Sequence, residues 1–192
     1  QTMRPKSLNA FIRARPARFK LLAGVLIVIA LAVLLPGKSI GEVPFAEEVG
    51  SLVNRYDRRT VNIASSGLIN MSAYGRLSQL GFVSVLDLRV PEEGAEDERD
   101  EVEARGMRYF NIPMGYVIPS DAETAAFARI VEDENNLPLL FHGVLPNRAG
   151  AMWAVYRAYR GMAPAQAYEE GRTAGLKGRR AKAVRQALGL AD

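Results

Sequence analysis

The chain has 192 residues, of which 48% are hydrophobic and 24% charged, a balance that excludes a disordered chain and leaves room for one domain with an extension. It contains no cysteine, which excludes disulfides, thiolate metal sites and thiol chemistry. The formal charge of +4 misleads: seven of the 25 cations and none of the 21 acids fall in residues 1–38, so the remainder is net −3. A nucleic-acid partner would need a basic face on the folded part, and the bulk charge does not supply one.

In chain order, residues 1–20 form a basic tail with Arg4, Lys6, Arg13, Arg15, Arg18 and Lys20. Residues 21–36 follow without a charge and read as a transmembrane anchor, about 24 Å long as a helix. The run ends in Leu34-Leu35-Pro36-Gly37-Lys38 rather than at small residues, which favours an uncleaved anchor over a secretory signal. The cations before it place the N-terminus in the cytoplasm and the domain outside, periplasmic in a bacterium, with the lipid bilayer as a partner. Residues 37–60 hold glycine, proline and mixed charge and read as a linker, leaving 61–192 as the domain.

From residue 61, strand-like and helix-like segments alternate. VNIA (61–64) is a short strand, and SAYGRLSQLG is a helix from Ser72 to a stop at Gly81. FVSVLDLRV (82–90) is β-branched and apolar, a buried strand. PEEGAEDERDEVEARG reads as one helix whose acids crowd its start and whose charged face is solvated, ending at Gly106. MRYFNIP (107–113) is a strand, and SDAETAAFARIVEDE a helix opened by a capping box of Ser120 and Glu123. LPLLF (137–141) is the next strand, AGAMWAVYRAYRG (149–161) a helix stopped by Gly161, and Pro164 opens another. The last, RRAKAVRQALGL, is amphipathic and basic; its apolar side covers the core more readily than it lies on anionic lipid. The pattern predicts an α/β domain with a mostly parallel sheet flanked by helices.

In such sheets ligands bind beyond the carboxyl ends of strands. Residues 142–148, HGVLPNR, occupy that place between a strand and a helix, and Arg148 offers a two-pronged charge suited to phosphate oxygens. His142 is the only histidine, there is no G-x-S-x-G elbow, and no acids cluster near it in sequence, so neither a serine triad nor a metal site is expected. Asp87 and Arg89 read as a tie at the end of the sheet.

Several segments together, SG (66–67), GFVSVLDLR (81–89), GMRYFNIPM (106–114), NRAGAMWAVYR (147–157) and RTAGL (172–176), resemble the cysteine-dependent tyrosine and dual-specificity phosphatase superfamily. The nearest pattern is the compact bacterial branch with a His-Cys-x-x-Gly-Asn-Arg loop. The resemblance implies a phosphatase-like fold, phosphate contacts from His142, Asn147 and Arg148, and a thiolate nucleophile where this chain has Gly143. Pro146 replaces the loop glycine. The stricter superfamily spacing would instead put His142 at the nucleophile position; neither alignment supplies sulfur. Asp121 is the only carboxylate on the loop where the resemblance implies a general acid, and it doubles as a helix-start residue. Two functions stay open. One is a non-catalytic accessory or assembly subunit of a membrane protein complex, with residual anion binding and no cofactor. The other is a phosphatase of phosphoproteins or small phosphate esters whose cysteine has been substituted at position 143.

Overall fold

The computed structural model describes residues 39–115 and 117–190. The expected basic tail and anchor lie outside these residues, and among the described residues no helix is long and apolar enough to cross a membrane.

Among the described residues five strands form one sheet in the order β1-β2-β5-β3-β4. They are β1 (Asp57–Arg58), β2 (Ile63–Ser66), β3 (Ser84–Asp87), β4 (Arg108–Asn111) and β5 (Leu139–His142). All neighbours are parallel except β1, a two-residue antiparallel edge on β2. The helices are α1 (Ala46–Val49), α2 (Tyr74–Gln79), α3 (Ala95–Glu103), α4 (Asp121–Val131), α5 (Pro146–Tyr159), α6 (Pro164–Thr173) and α7 (Gly178–Ala187). The α/β fold with a mostly parallel, helix-flanked sheet is the one its alternating segments predict.

Strand alternation sorts the core into two layers, because successive side chains point to opposite faces. Ile63, Leu86, Leu139 and Phe141 face one layer with α4 and α5; Ala64, Val85, Tyr109 and Leu140 face the other with α2 and α3. In the first layer Phe141 stacks on Trp153, with centroids 5.9 Å apart, and meets Phe127 edge-on at 5.0 Å. Helices α5 and α6 cross closely at Gly150 and Gly171. A Cβ on Gly150 would come 2.7 Å from the Gly171 carbonyl oxygen, so only glycine permits the approach.

Three boundaries differ from the sequence reading. Residues 40–60 are not a linker: Val43, Val49 and Val53 are buried in the second layer, and β1 joins the sheet. The acidic segment is two pieces, a 3-10 turn at Pro91–Glu93 and then α3, separated by Gly94 at φ +83°. A left-handed glycine ends the first piece and re-aims the second. The strand before the loop runs through His142 and α5 begins at Pro146, so only residues 143–145 connect them. Proline fits that first helical position, where an N–H has no intrahelical partner to reach. Ser120 and Glu123 form the expected capping box.

Candidate functional site

The strand register sets the site. Ser66, His142 and Asp87 lie opposite one another, so the carboxyl ends of β2, β5 and β3 finish level. Gly143–Leu145 leaves that edge and α5 starts above it.

Beneath the loop is a buried polar network. Arg89, two residues past β3, turns back on Asp87: its Nε donates to Oδ1 at 3.1 Å and to Oδ2 at 3.0 Å, and its Nη2 lies 2.9 Å from Oδ2. The same Nη2 pairs with Glu98 of α3. Tyr109 donates its hydroxyl to Asp87 Oδ2 at 3.0 Å and to the Ala95 carbonyl at 2.6 Å. His142 Nε2 sits 2.8 Å from Glu98 Oε1 and 3.6 Å from Asp87 Oδ1, with its side chain fully buried, although neither ring nitrogen makes a well-aligned hydrogen bond. Burial opposes the Asp87 charge, but His142 and then Arg89 outweigh it and hold the carboxyl below its ordinary value. Burial, then the Asp87 and Glu98 charges, pushes the Tyr109 hydroxyl far up; burial and Glu98 do the same to Tyr74.

Asp87, Glu98 and His142 each offer a ligand atom within 4.8 Å of the others, so the fold gathers acids around the histidine that the sequence reading left isolated. A divalent cation there would have to displace the Arg89 guanidinium from both carboxylates. The set is therefore better matched to Arg89 than to a metal. The expectation that Asp87 and Arg89 tie the end of the sheet describes their geometry, whereas a fully solvated acidic face on α3 does not, since Glu98 is 1% exposed.

Above the network, the loop is engaged with protein groups. Arg148 forks onto Glu93, Nη1 to Oε2 at 2.5 Å and Nη2 to Oε1 at 2.8 Å, and Nη1 also donates to the Leu88 carbonyl at 3.0 Å. That pairing, more than partial burial opposes it, holds the Glu93 carboxyl below its usual value. Asn147 Oδ1 accepts the Lys177 backbone N–H at 2.9 Å, joining the start of α5 to the start of α7. The Arg148 N–H itself donates to the Leu145 carbonyl. Gly143 is buried, and a Cβ on it would meet Arg148 Cβ at 3.1 Å and Cδ at 3.2 Å. The stem of Arg148 thus crosses the space into which a side chain at 143 would project.

Of the residues singled out from sequence, Gly143, Asn147 and Arg148 meet at the loop, while His142 is directed into the network below. Asp121 is exposed as the first residue of α4; from the segment before it, Val117 reaches the mouth. The sequence pattern does not single out Glu93 or Glu98. Each lies in a run of acids with nothing local to distinguish it, and only the break at Gly94 turns one toward Arg148 and the other toward Arg89.

The fold has counterparts among solved structures. A DUF442 protein from Shewanella putrefaciens CN-32, assigned as a phosphatase, aligns with a TM-score of 0.60 at 21% identity, over 76% of this chain and 97% of that one. The core catalytic domain of the PP-IP phosphatase SIW14 from S. cerevisiae aligns at 0.58 and 21% identity, over 71% and 85%. TpbA of P. aeruginosa aligns at 0.58 and 22% identity, over 81% and 92%. The likeness is one of fold, to proteins that include phosphatases. No family model and no curated protein matches the chain.

Proposed function

We propose that this chain is a membrane-anchored, phosphatase-fold domain that binds rather than hydrolyses, an accessory or assembly subunit of a membrane protein complex. Residues 21–36 would be its anchor, with the N-terminus cytoplasmic and the domain periplasmic or extracellular. The observation that carries the non-catalytic part is the Gly143–Arg148–Glu93 arrangement. Phosphoryl transfer through an enzyme-bound intermediate needs a nucleophile at the loop and donors aimed at the phosphate. Here the loop residue has no side chain, and the arginine suited to the anion already spends both prongs on a carboxylate. Leu145, 56% exposed, and Leu68, 43% exposed, lie on the two segments joined by the Leu68 N–H to Val144 carbonyl bond. They add exposed apolar surface beside the loop, which suits contact with a protein partner.

Phosphate release from p-nitrophenyl phosphate by the full chain tests this directly, alongside identification of what leaves the membrane with it in mild detergent. No turnover and a defined co-purifying protein are expected; turnover by the purified chain, or a lone monomer, would sink the respective halves.

The resemblance to phosphatases favours a second reading, an enzyme whose cysteine is replaced at 143. Gly143→Cys separates the two. Hydrolysis by that variant would support the second reading, and a folded, inactive variant would support the first. Inactivity is expected, because the new side chain must displace Arg148 and no loop contact releases Glu93.

A further inference from the structure

Helix α7 covers the core as its pattern predicts: Ala181 and Val184 are buried and Leu188 and Leu190 pack against the first layer. That leaves its opening turn, Lys177, Arg179 and Arg180 with no acid among them, at the mouth of the loop. This charge has the wrong sign for its place, since a helix start carries partial positive charge and favours anions. The cations are also crowded. Burial first, then the guanidinium charges of Arg148 and Arg179, pushes the Arg180 pKa down.

These groups line a cleft. Val117, Asn147, Lys177, Gly178, Arg179 and Arg180 enclose about 400 Å³, within the roughly 300–1,000 Å³ of small-ligand sites. Its walls are fixed by the Asn147 bond to the Lys177 N–H and by Arg180 Nη1 donating to the Val117 carbonyl at 2.5 Å. A second hollow of about 170 Å³ adjoins it, sharing Asn147 and Arg180 and containing Arg148 and Glu93. The two differ in sign. In the smaller one Glu93 neutralises Arg148 and repels an anion, whereas among the described residues no carboxylate lines the larger.

We propose that the larger cleft is an anion-binding site for a ligand with adjacent phosphates, gripped by Lys177, Arg179 and Arg180 beside the closed loop. Three cations around one cleft suit several negative charges better than one, and the exposed backbone of Gly178 lets an anion approach the helix start. The shared chemistry is a run of phosphates, supplied either by a free polyphosphate or by a multiply phosphorylated lipid headgroup. This goes beyond the non-catalytic reading and does not depend on it.

The test is calorimetric titration of the full chain, in uncharged detergent, with inorganic phosphate and with tripolyphosphate. Residues 1–20 would bind polyanions unselectively, so the readout is the difference between the chain and its variants. Tripolyphosphate should bind about tenfold tighter than phosphate, and Lys177→Glu with Arg179→Glu, both exposed, should weaken it about tenfold without lowering the melting temperature, since acids suit a helix start. Arg148→Ala should change it less than about threefold, its charge being already paired. Unchanged affinity in the double variant, or loss confined to Arg148→Ala, would overturn the assignment. Displacement of tripolyphosphate by soluble glycerophosphoinositol bisphosphate would assign the site to a headgroup. Failure to displace would assign it to a free polyphosphate; both uphold the cleft. Hydrolysis by the chain would leave this result standing while removing the reading above.

Discussion

Two layers meet at the carboxyl edge of the sheet, and they treat charge differently. The lower layer, Asp87, Arg89, Glu98, Tyr109 and His142, is buried and closed on itself. The upper one, Glu93, Gly143, Asn147 and Arg148, is partly open, and each of its polar side chains is bonded to another part of the chain. The contrast separates the scaffold from the chemistry a phosphatase fold can carry. The lower layer holds the ends of β3 and β5 and the start of α3 in register. In the upper layer, where a substrate would sit, the polar side chains are already engaged by protein groups.

The sharpest way to break this contrast is through the lower layer. Arg89→Met leaves two buried carboxylates without their guanidinium and should cost about 3–5 kcal/mol in urea unfolding. Adding Glu98→Gln should return part of that loss, because one uncompensated charge is removed. A cost below about 1 kcal/mol for the single variant would mean that this layer is not holding the sheet edge.

A smaller effect is expected at Gly143. Gly143→Ala forces the Arg148 stem to move by a few tenths of an ångström, and should destabilise by about 1–2 kcal/mol. A neutral result would show the loop wide enough for a side chain and would strengthen the substituted-cysteine reading. Asn147→Ala, which strips the acceptor from the Lys177 N–H, should cost about 1 kcal/mol and loosen α7, seen as faster amide exchange at its start.

The smallest stability effect belongs to Glu93→Gln, about 0.5–1 kcal/mol for a forked but partly exposed pair. Its value lies in its pH dependence. Both Glu93 and Asp87 have folded pKa values below their ordinary ones. Their stabilising contributions are therefore complete above the unfolded values, about 4, and are lost as pH falls through the lower folded values. Denaturation midpoints from pH 6 to 2 should fall below about pH 4, and less steeply in Glu93→Gln. An equal fall in both proteins would mean that the Arg148 fork contributes nothing.

Much of the architecture was legible residue by residue. The capping box at Ser120 and Glu123, the proline-opened helix at Pro164 and the stops at Gly81, Gly106 and Gly161, each at positive φ, are local signals with local causes. Within the expected linker of 37–60, the burial of Val43, Val49 and Val53 is not legible because they are too sparse to show a period and pack against residues distant in sequence. The acidic stretch predicts one long helix because Gly94 inside a run of good helix formers does not announce a left-handed turn. At the site, the sulfur-free loop and the Asn147-Arg148 pair were readable, while the groups that occupy them were not.

The amino-acid order alone determined that the chain alternates into an α/β domain and that no thiol can stand at its loop. Which carboxylate holds which arginine was decided only in three dimensions. Glu93 and Glu98 come from one acidic stretch, and they reach Arg148 and Arg89 because parallel strands bring segments 55 and nine residues apart in sequence to one edge. Ion pairs act over a few ångströms of space rather than along the chain, so a string of glutamates cannot reveal its partners before the sheet forms.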